Sequence, residues 1–316
     1  MGTNYQIKYT PDAKVTTPAL VKIGIDSILT EINRQMSTYL PDSEISRFNL
    51  SESSKPIEVP LEFEYVVSRA LYWGEKTYGA FDITILPLLY LWGFGPGGAR
   101  APAAFPDTSD VEKRLTHIGN HKLVTGSGAV RKVDPFVNID LNSIAKGFGV
   151  DAIFNYLLSN EITNVMVEIG GEVRVRGLNP YSKLWAIAIE KPELSLEIGE
   201  EFDWIVDLDN EAMATSGDYR NFFELDNEIY SHVIDPRTGY PSQTGVASAT
   251  VTAPNCTDAD ALATALMVMD VSEGMKLVES LPEVEAFLIV RDSANGFVSH
   301  QSSGMALKAA GDANYR

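Results

Sequence analysis

The chain has 316 residues, a formal charge of −18 and 45% hydrophobic residues, enough apolar material for one large folded unit. The acidic balance excludes a nucleic-acid partner, because there is no basic cluster to release counterions from phosphates. A lone cysteine, Cys256, excludes an internal disulfide, a thiolate metal site and an iron–sulfur cluster, and no apolar run reaches the ~18 residues of a membrane span.

Residues 4–10 alternate as a strand does, and 17–36 place Leu20, Gly24, Ile28, Ile32 and Met36 at helical spacing. A second amphipathic helix is predicted over 61–78, with Phe63, Val66, Val67, Ala70 and Trp73 on its inner side. The Gly-, Pro- and Ala-rich segment 96–106 reads as a loop. Short strands around a glycine turn at 126–128 fill 120–141, a helix fills 143–160, and a hairpin or bulge turns at Gly170 and Gly171 within 164–177. Strands follow at 184–190, 203–209, 232–236 and 247–253, then a helix over 257–269. The small, polar end of the chain, 303–316, is expected to fray. Strands and helices are interspersed without a regular crossover rhythm, which favours an α+β fold over a doubly wound sheet.

The second half carries the chemistry. In ADALATALMV (259–268), Asp260 and Thr264 stand four residues apart, so on a helix both side-chain oxygens leave one face, one turn apart. Hard oxygens on a rigid element suit Mg2+ rather than zinc. The same pair fits a structural role, the acid favouring the helix dipole and the threonine bonding back to an i−4 carbonyl. His232, in SHVIDPRTGYP (231–241), is one of four histidines. It reads either as a strand histidine satisfied by the backbone or as a base able to take a proton from an attacking hydroxyl. A histidine beside an oxygen-rich metal face points to phosphate-ester chemistry on a nucleotide. The turn SGDY (216–219) could cradle phosphate oxygens or simply join two strands. Lys146 is either a solvated lysine or a counter-charge for a diphosphate, and Asp140 either caps the helix that follows or orients a ligand. Walker A, GxSxG, HExxH and CxxC motifs are absent, which removes P-loop kinases, serine hydrolases and zinc proteases.

Eight segments stand in the order of a known family: MGT (1–3), MSTYLPDSEISRFN (36–49), GAFDITILPLLYLWGFGP (79–96), DLNSIAKGFGVD (140–151), VEIGGEVRVRG (167–177), ATSGDYRNF (214–222) and the two segments above. On these the chain resembles the ApbE family of FAD:protein FMN transferases from residue 1 to about 270. The resemblance implies one T-fold-related domain over 1–302, with mixed, mainly antiparallel sheets and packed helices, followed by a tail over 303–316. It implies Mg2+-dependent transfer of FMN from FAD to a threonine or serine hydroxyl of an acceptor protein, with release of AMP. His232 would be the base. Asp260, Thr264 and the backbone carbonyl of Ser143 would hold Mg2+, with the Ala263 carbonyl nearby. Met1 and Tyr39 would lie beside the flavin, Ala80, Phe81 and Asp82 would form part of the FAD pocket, and Asp140 would orient flavin or ribose. Lys146 would sit at the FAD, and Ile234 would meet adenine through its backbone.

Two other activities fit the same residues: an FAD pyrophosphatase giving FMN and AMP, and a flavin carrier without chemistry. Tyr39 leans toward transfer, because hydrolytic relatives differ there. The implied acceptors are exported or membrane-bound electron-transfer subunits, such as those of sodium-pumping NADH:quinone oxidoreductase. Self-modification is not expected, since SGA at 127–129 lacks the preceding Asp of an acceptor motif. A periplasmic or cell-envelope location follows from the resemblance, with an export or lipoprotein signal removed ahead of Met1.

Overall fold

The computed structural model describes residues 2–10, 17–95, 105–192, 202–218, 222–225, 228–292 and 296–309. Met1, most of the predicted 96–106 loop, Tyr219 and the chain end from 310 lie outside the described residues.

Strand β1 (Tyr5–Tyr9) leads to helix α1 (Pro18–Met36), with a proline at its start where a missing N–H costs nothing. Leu20 is 54% exposed, while Val21 and Ile25 turn inward. A strict four-residue spacing winds about 40° per step off a helix face, and Gly24, pressed against Tyr156, sets which side packs. The short α2 (Glu44–Leu50) is capped by Ser43, whose hydroxyl accepts from the Ser46 N–H. After β2 (Ile57–Glu58), α3 (Leu61–Lys76) buries Phe63, Val66, Val67, Ala70 and Trp73 as its spacing predicts. Helices α4 (Leu86–Leu91) and α5 (Thr108–Leu115) and the hairpin of β3 (Leu123–Gly126) and β4 (Ala129–Lys132) complete the first half.

Helix α6 (Ala145–Ser159) begins two residues later than predicted. Strands β5 (Val165–Ile169) and β6 (Glu172–Arg176) form a hairpin whose turn, Gly170 and Gly171, has φ of 62° and 106°, where other residues are strained. There follow β7 (Trp185–Glu190), β8 (Phe202–Leu208), β9 (Ala212–Gly217), β10 (Phe222–Leu225), β11 (Glu228–Ser231) and β12 (Val246–Ala253). Helices α7 (Cys256–Leu266) and α8 (Val271–Glu279) precede β13 (Glu285–Arg291), β14 (Phe297–Gln301) and β15 (Leu307–Ala309).

The centre is a seven-stranded antiparallel sheet ordered β1-β5-β6-β9-β12-β13-β14. Smaller sheets, β15-β8-β7, β2-β4-β3 and β10-β11, lie around it, so the α+β class holds. Helix α7 packs on β9 and β12, with α6 and α3 against its other sides. Its alanines leave it apolar nearly all round, the pattern of a helix enclosed by protein.

Three expectations change. The predicted 232–236 strand is a turn: β11 stops at Ser231, Ile234 makes one isolated bridge to Pro241, and the Gly239 N–H donates to the Asp235 carbonyl at 2.8 Å. Ser216 and Gly217 belong to β9 rather than to a phosphate-binding turn, because their register against β12 extends the ladder. Residues 303–309 do not fray: Ser303 is bonded by Glu279, Gly304 by Glu285, and β15 pairs with β8.

Candidate active site

The site is built on α7, which is held at its first turn from three directions. Asn255 accepts from the Asp258 N–H, an N-cap. Asp258 in turn receives Arg69 and Trp73 from α3, Trp73 Nε1 at 2.7 Å. Asp151 on α6 accepts from the backbone N–H groups of Cys256 (2.9 Å) and Thr257 (2.8 Å), from the Thr257 hydroxyl (2.6 Å), and from Arg174 of β6 (2.7 Å). These bonds satisfy donors that a helix start leaves without partners.

One turn on, Asp260 is 1% exposed, a charge that burial tolerates only when it is paired. Its Oδ2 accepts from the Gly147 N–H at 2.9 Å, and its Oδ1 from Lys146 Nζ at 3.3 Å. In a continuous helical turn the Gly147 N–H would serve the Ser143 carbonyl four residues back. Here that N–H is given to Asp260 instead. A side chain at 147 would put Cβ 2.2 Å from the Cys256 carbonyl oxygen, so the α6–α7 approach requires glycine. Lys146 also meets Glu172 Oε1 at 2.5 Å. Burial pulls the Lys146 ammonium down, but Asp260 and Glu172 together win and hold it above the ordinary lysine range. Burial pushes the Glu172 carboxyl up, against the pull of Lys146.

Between Ala259 and Met269 only Thr264 is not fully buried, and its hydroxyl lies 3.3 Å from that of Ser216 on β9. The donors expected of Asp260, Thr264 and the Ser143 carbonyl are all oxygens, with a single carboxylate. That set fits Mg2+, which binds through one or two carboxylates and completes its shell with water and substrate phosphate. Among the described residues no group of three His, Cys, Asp or Glu side chains offers an all-protein metal cage. Cys256 is buried and its thiol is pushed well up by burial, far from a thiolate ligand.

His232 lies just past β11, half-buried, its ring edge-on to Phe94 with centroids 6.3 Å apart. The turn carrying it is tied to the end of α7. Ser242 and Thr244 donate to the Met267 carbonyl at 2.9 and 3.0 Å, and Arg237 to the Val268 carbonyl at 3.2 Å. From the other side Trp92 Nε1 donates to the Gly239 carbonyl at 2.8 Å. The 237–244 turn that follows His232 is therefore fixed between Trp92 and the helix end one turn beyond Thr264. A cleft of about 760 Å3 opens on this turn, lined by Gly79, Asp82, Asn120, His121, Pro236 and Arg237. Its lining includes neither His232 nor Asp260.

The other predicted residues divide. Tyr39 is 59% exposed, on a loop wound around buried Ser43, whose hydroxyl donates to the Ser37 and Leu40 carbonyls. Its neighbour Thr38 reaches Asp140 Oδ2 at 3.4 Å. Asp140 also accepts from the Asn142 N–H and amide, and burial pushes its carboxyl up to about 6. Ala80 and Phe81 are core residues. Asp82 is consumed by the Thr84 N–H and hydroxyl and the Asn120 N–H, so these side chains offer a ligand little beyond their backbone. Ile234 is packed with Leu88, Trp92, Val111 and Ile118 and likewise offers only backbone. Ala263 is buried mid-helix, and Met1 lies outside the described residues.

A model of the ApbE family matches residues 1–288. The chain belongs to the ApbE family. It is 43% identical over 303 residues to the FAD:protein FMN transferase of Vibrio cholerae, covering 96% of this chain and 89% of the relative. It is 40% identical over 309 residues to that of Haemophilus influenzae, covering 96% and 88%. The solved flavin transferase ApbE from Vibrio cholerae superposes with a TM-score of 0.86 at 42% identity, covering 96% and 94%. The ApbE protein of Thermotoga maritima gives 0.81 at 29% identity, covering 95% and 97%. In this ApbE chain, Glu172 and Asp151 are the site-forming residues that no single-residue reading picked out. Their signal is the charge alternation EVRVR on an inward-facing strand, opposite Lys146 and Asp151 five residues apart on α6.

Proposed function

We propose that this chain transfers the FMN half of FAD onto a threonine or serine hydroxyl of another protein, leaving AMP. What supports the reading is the buried Asp260 of α7 and the turn after His232 tied to the end of the same helix, in a chain whose relatives at 43% and 40% identity are FAD:protein FMN transferases. His232 takes the proton from the acceptor hydroxyl as its oxygen attacks the FMN phosphorus. The phosphorus–oxygen bond to AMP breaks, and AMP leaves with the electron pair. Asp260, Thr264 and the Ser143 carbonyl would hold Mg2+, which when bound supplies charge neutralisation at the diphosphate. Lys146 adds a fixed positive charge at the same place, in an otherwise acidic protein. Asp140 and Tyr39, joined through the Thr38 loop, orient the flavin end. The remaining work is positioning, which is most of what phosphoryl transfer asks of a protein.

The acceptors we propose are exported or membrane-bound electron-transfer subunits, which would put the reaction in the periplasm or cell envelope. Among the described residues no helix is long and apolar enough to cross a membrane. The test is chromatography of free nucleotides with and without such an acceptor. AMP should form only when the acceptor is present. AMP and FMN released equally fast without it would contradict the proposal and is what an FAD pyrophosphatase does.

A further inference from the structure

Two ion pairs cross the seam between α6 and β6, and they differ in one respect. At the first, both oxygens of Asp151 are filled, by Arg174, two backbone N–H groups and a hydroxyl. At the second, Lys146 Nζ is shared between Glu172 Oε1 at 2.5 Å and Asp260 Oδ1 at 3.3 Å. Glu172 is 2% exposed, and among the described residues its buried Oε2 has no hydrogen-bond partner. An acceptor left empty at such depth costs free energy, and it sits on the residue already holding an ammonium that has three donors.

The same ammonium stands in the way of the cation reading above, on which this inference rests. Asp260 Oδ1 is the oxygen a divalent ion would use, and a positive charge already occupies it. We infer that Glu172 is a positioning residue that clears Asp260 for the cation: Lys146 gives up Oδ1 and donates instead to the vacant Oε2 of Glu172. The ammonium then stays beside the diphosphate as a second positive charge, without competing for the carboxylate. Asp260, Glu172 and Lys146 together carry one net negative charge. A divalent ion turns that into one net positive charge, the sign an incoming diphosphate needs.

The test is Mn2+ binding, read by electron paramagnetic resonance of the free ion in the absence of FAD, for four proteins: native, Glu172→Gln, Lys146→Met and the double variant. In the native background Glu172→Gln should weaken Mn2+ binding about tenfold, because Lys146 stays on Asp260. Lys146→Met alone should tighten it. In the Lys146→Met background Glu172→Gln should change it by less than about twofold. An equal loss in both backgrounds would overturn the inference, since a direct ligand or a simple field effect acts whether or not Lys146 is present. No Mn2+ uptake by the native protein would overturn the cation reading itself. Thermal melts check folding, and Glu172→Asp, which retracts the charge by one methylene, replaces Glu172→Gln if that variant does not fold.

Discussion

At the scale of single residues, His232 and Asp260 bear different loads. As the proposed base, His232 acts on the acceptor hydroxyl rather than on FAD, so His232→Ala should leave FAD affinity within about twofold and cut transfer by roughly 10²–10⁴, the range of a lost general base. Equilibrium binding followed by flavin fluorescence, beside initial rates of AMP formation, separates the two. Normal transfer by the variant would remove the assigned base. Asp140 gives a pH signature. Burial raises its folded value to about 6, against about 4 in an unfolded chain. Between those values the native state holds a proton that the unfolded chain does not. Its stabilising contribution is therefore complete below about pH 4 and lost as pH rises through about 6. Relative to Asp140→Asn, which cannot titrate, the native protein should lose roughly 2 kcal/mol between about pH 4 and pH 6.5. Urea unfolding of both proteins at the two pH values measures this, and a constant difference would contradict it. That Asp260 and Thr264 share one helix was legible, because four residues make about one turn. The partnership of Lys146 with Glu172 was not, because it joins residues 26 apart through packing that no local pattern encodes.

At the scale of elements, the site depends on how closely α6 approaches α7. Gly147→Ala sets a methyl group against the Cys256 backbone, which cannot rotate away. A loss of about 2 kcal/mol is expected, from strain and helix displacement. Activity should fall beyond what stability explains, since the Gly147 N–H and the Ser143 carbonyl move together. Thermal melts and transfer rates below the melting range check this, and full activity at an unchanged melting temperature would show that the approach is not tight. Asp151→Ala should cost about 3 kcal/mol, because it strands Arg174 and uncaps α7 in one step. The four longest helices were readable from apolar spacing, α3 nearly residue for residue, while the shorter α2, α4, α5 and α8 were not. The 232–236 segment was misread as a strand because HVI has strand composition, and its turn is imposed by DPRTG and by bonds to Met267 and Val268 far along the chain. Ser216 was misplaced for the converse reason: turn-forming residues were drawn into a ladder by β12.

At the scale of the molecule, the sheet and the neighbouring helices bury α7 and leave only Asp258 and Thr264 of it partly open. The α+β class was legible from the irregular order of elements. The sheet order was not, since β6 pairs β9 across the separate β7–β8 ribbon. Removing divalent ions with a chelator should abolish transfer while leaving the fold intact, because the core is closed by apolar packing and by Asp151 and Asp258 rather than by a metal. Far-ultraviolet circular dichroism before and after chelation, with activity restored by added Mg2+, checks this, and unfolding on chelation would contradict it. The most direct measurement is the intact mass of a candidate acceptor subunit after incubation with this protein, FAD and Mg2+, with free nucleotides quantified in the same sample. The account predicts an acceptor heavier by one FMN phosphoester and AMP formed in equal amount. Free FMN and AMP beside acceptors of unchanged mass would contradict it.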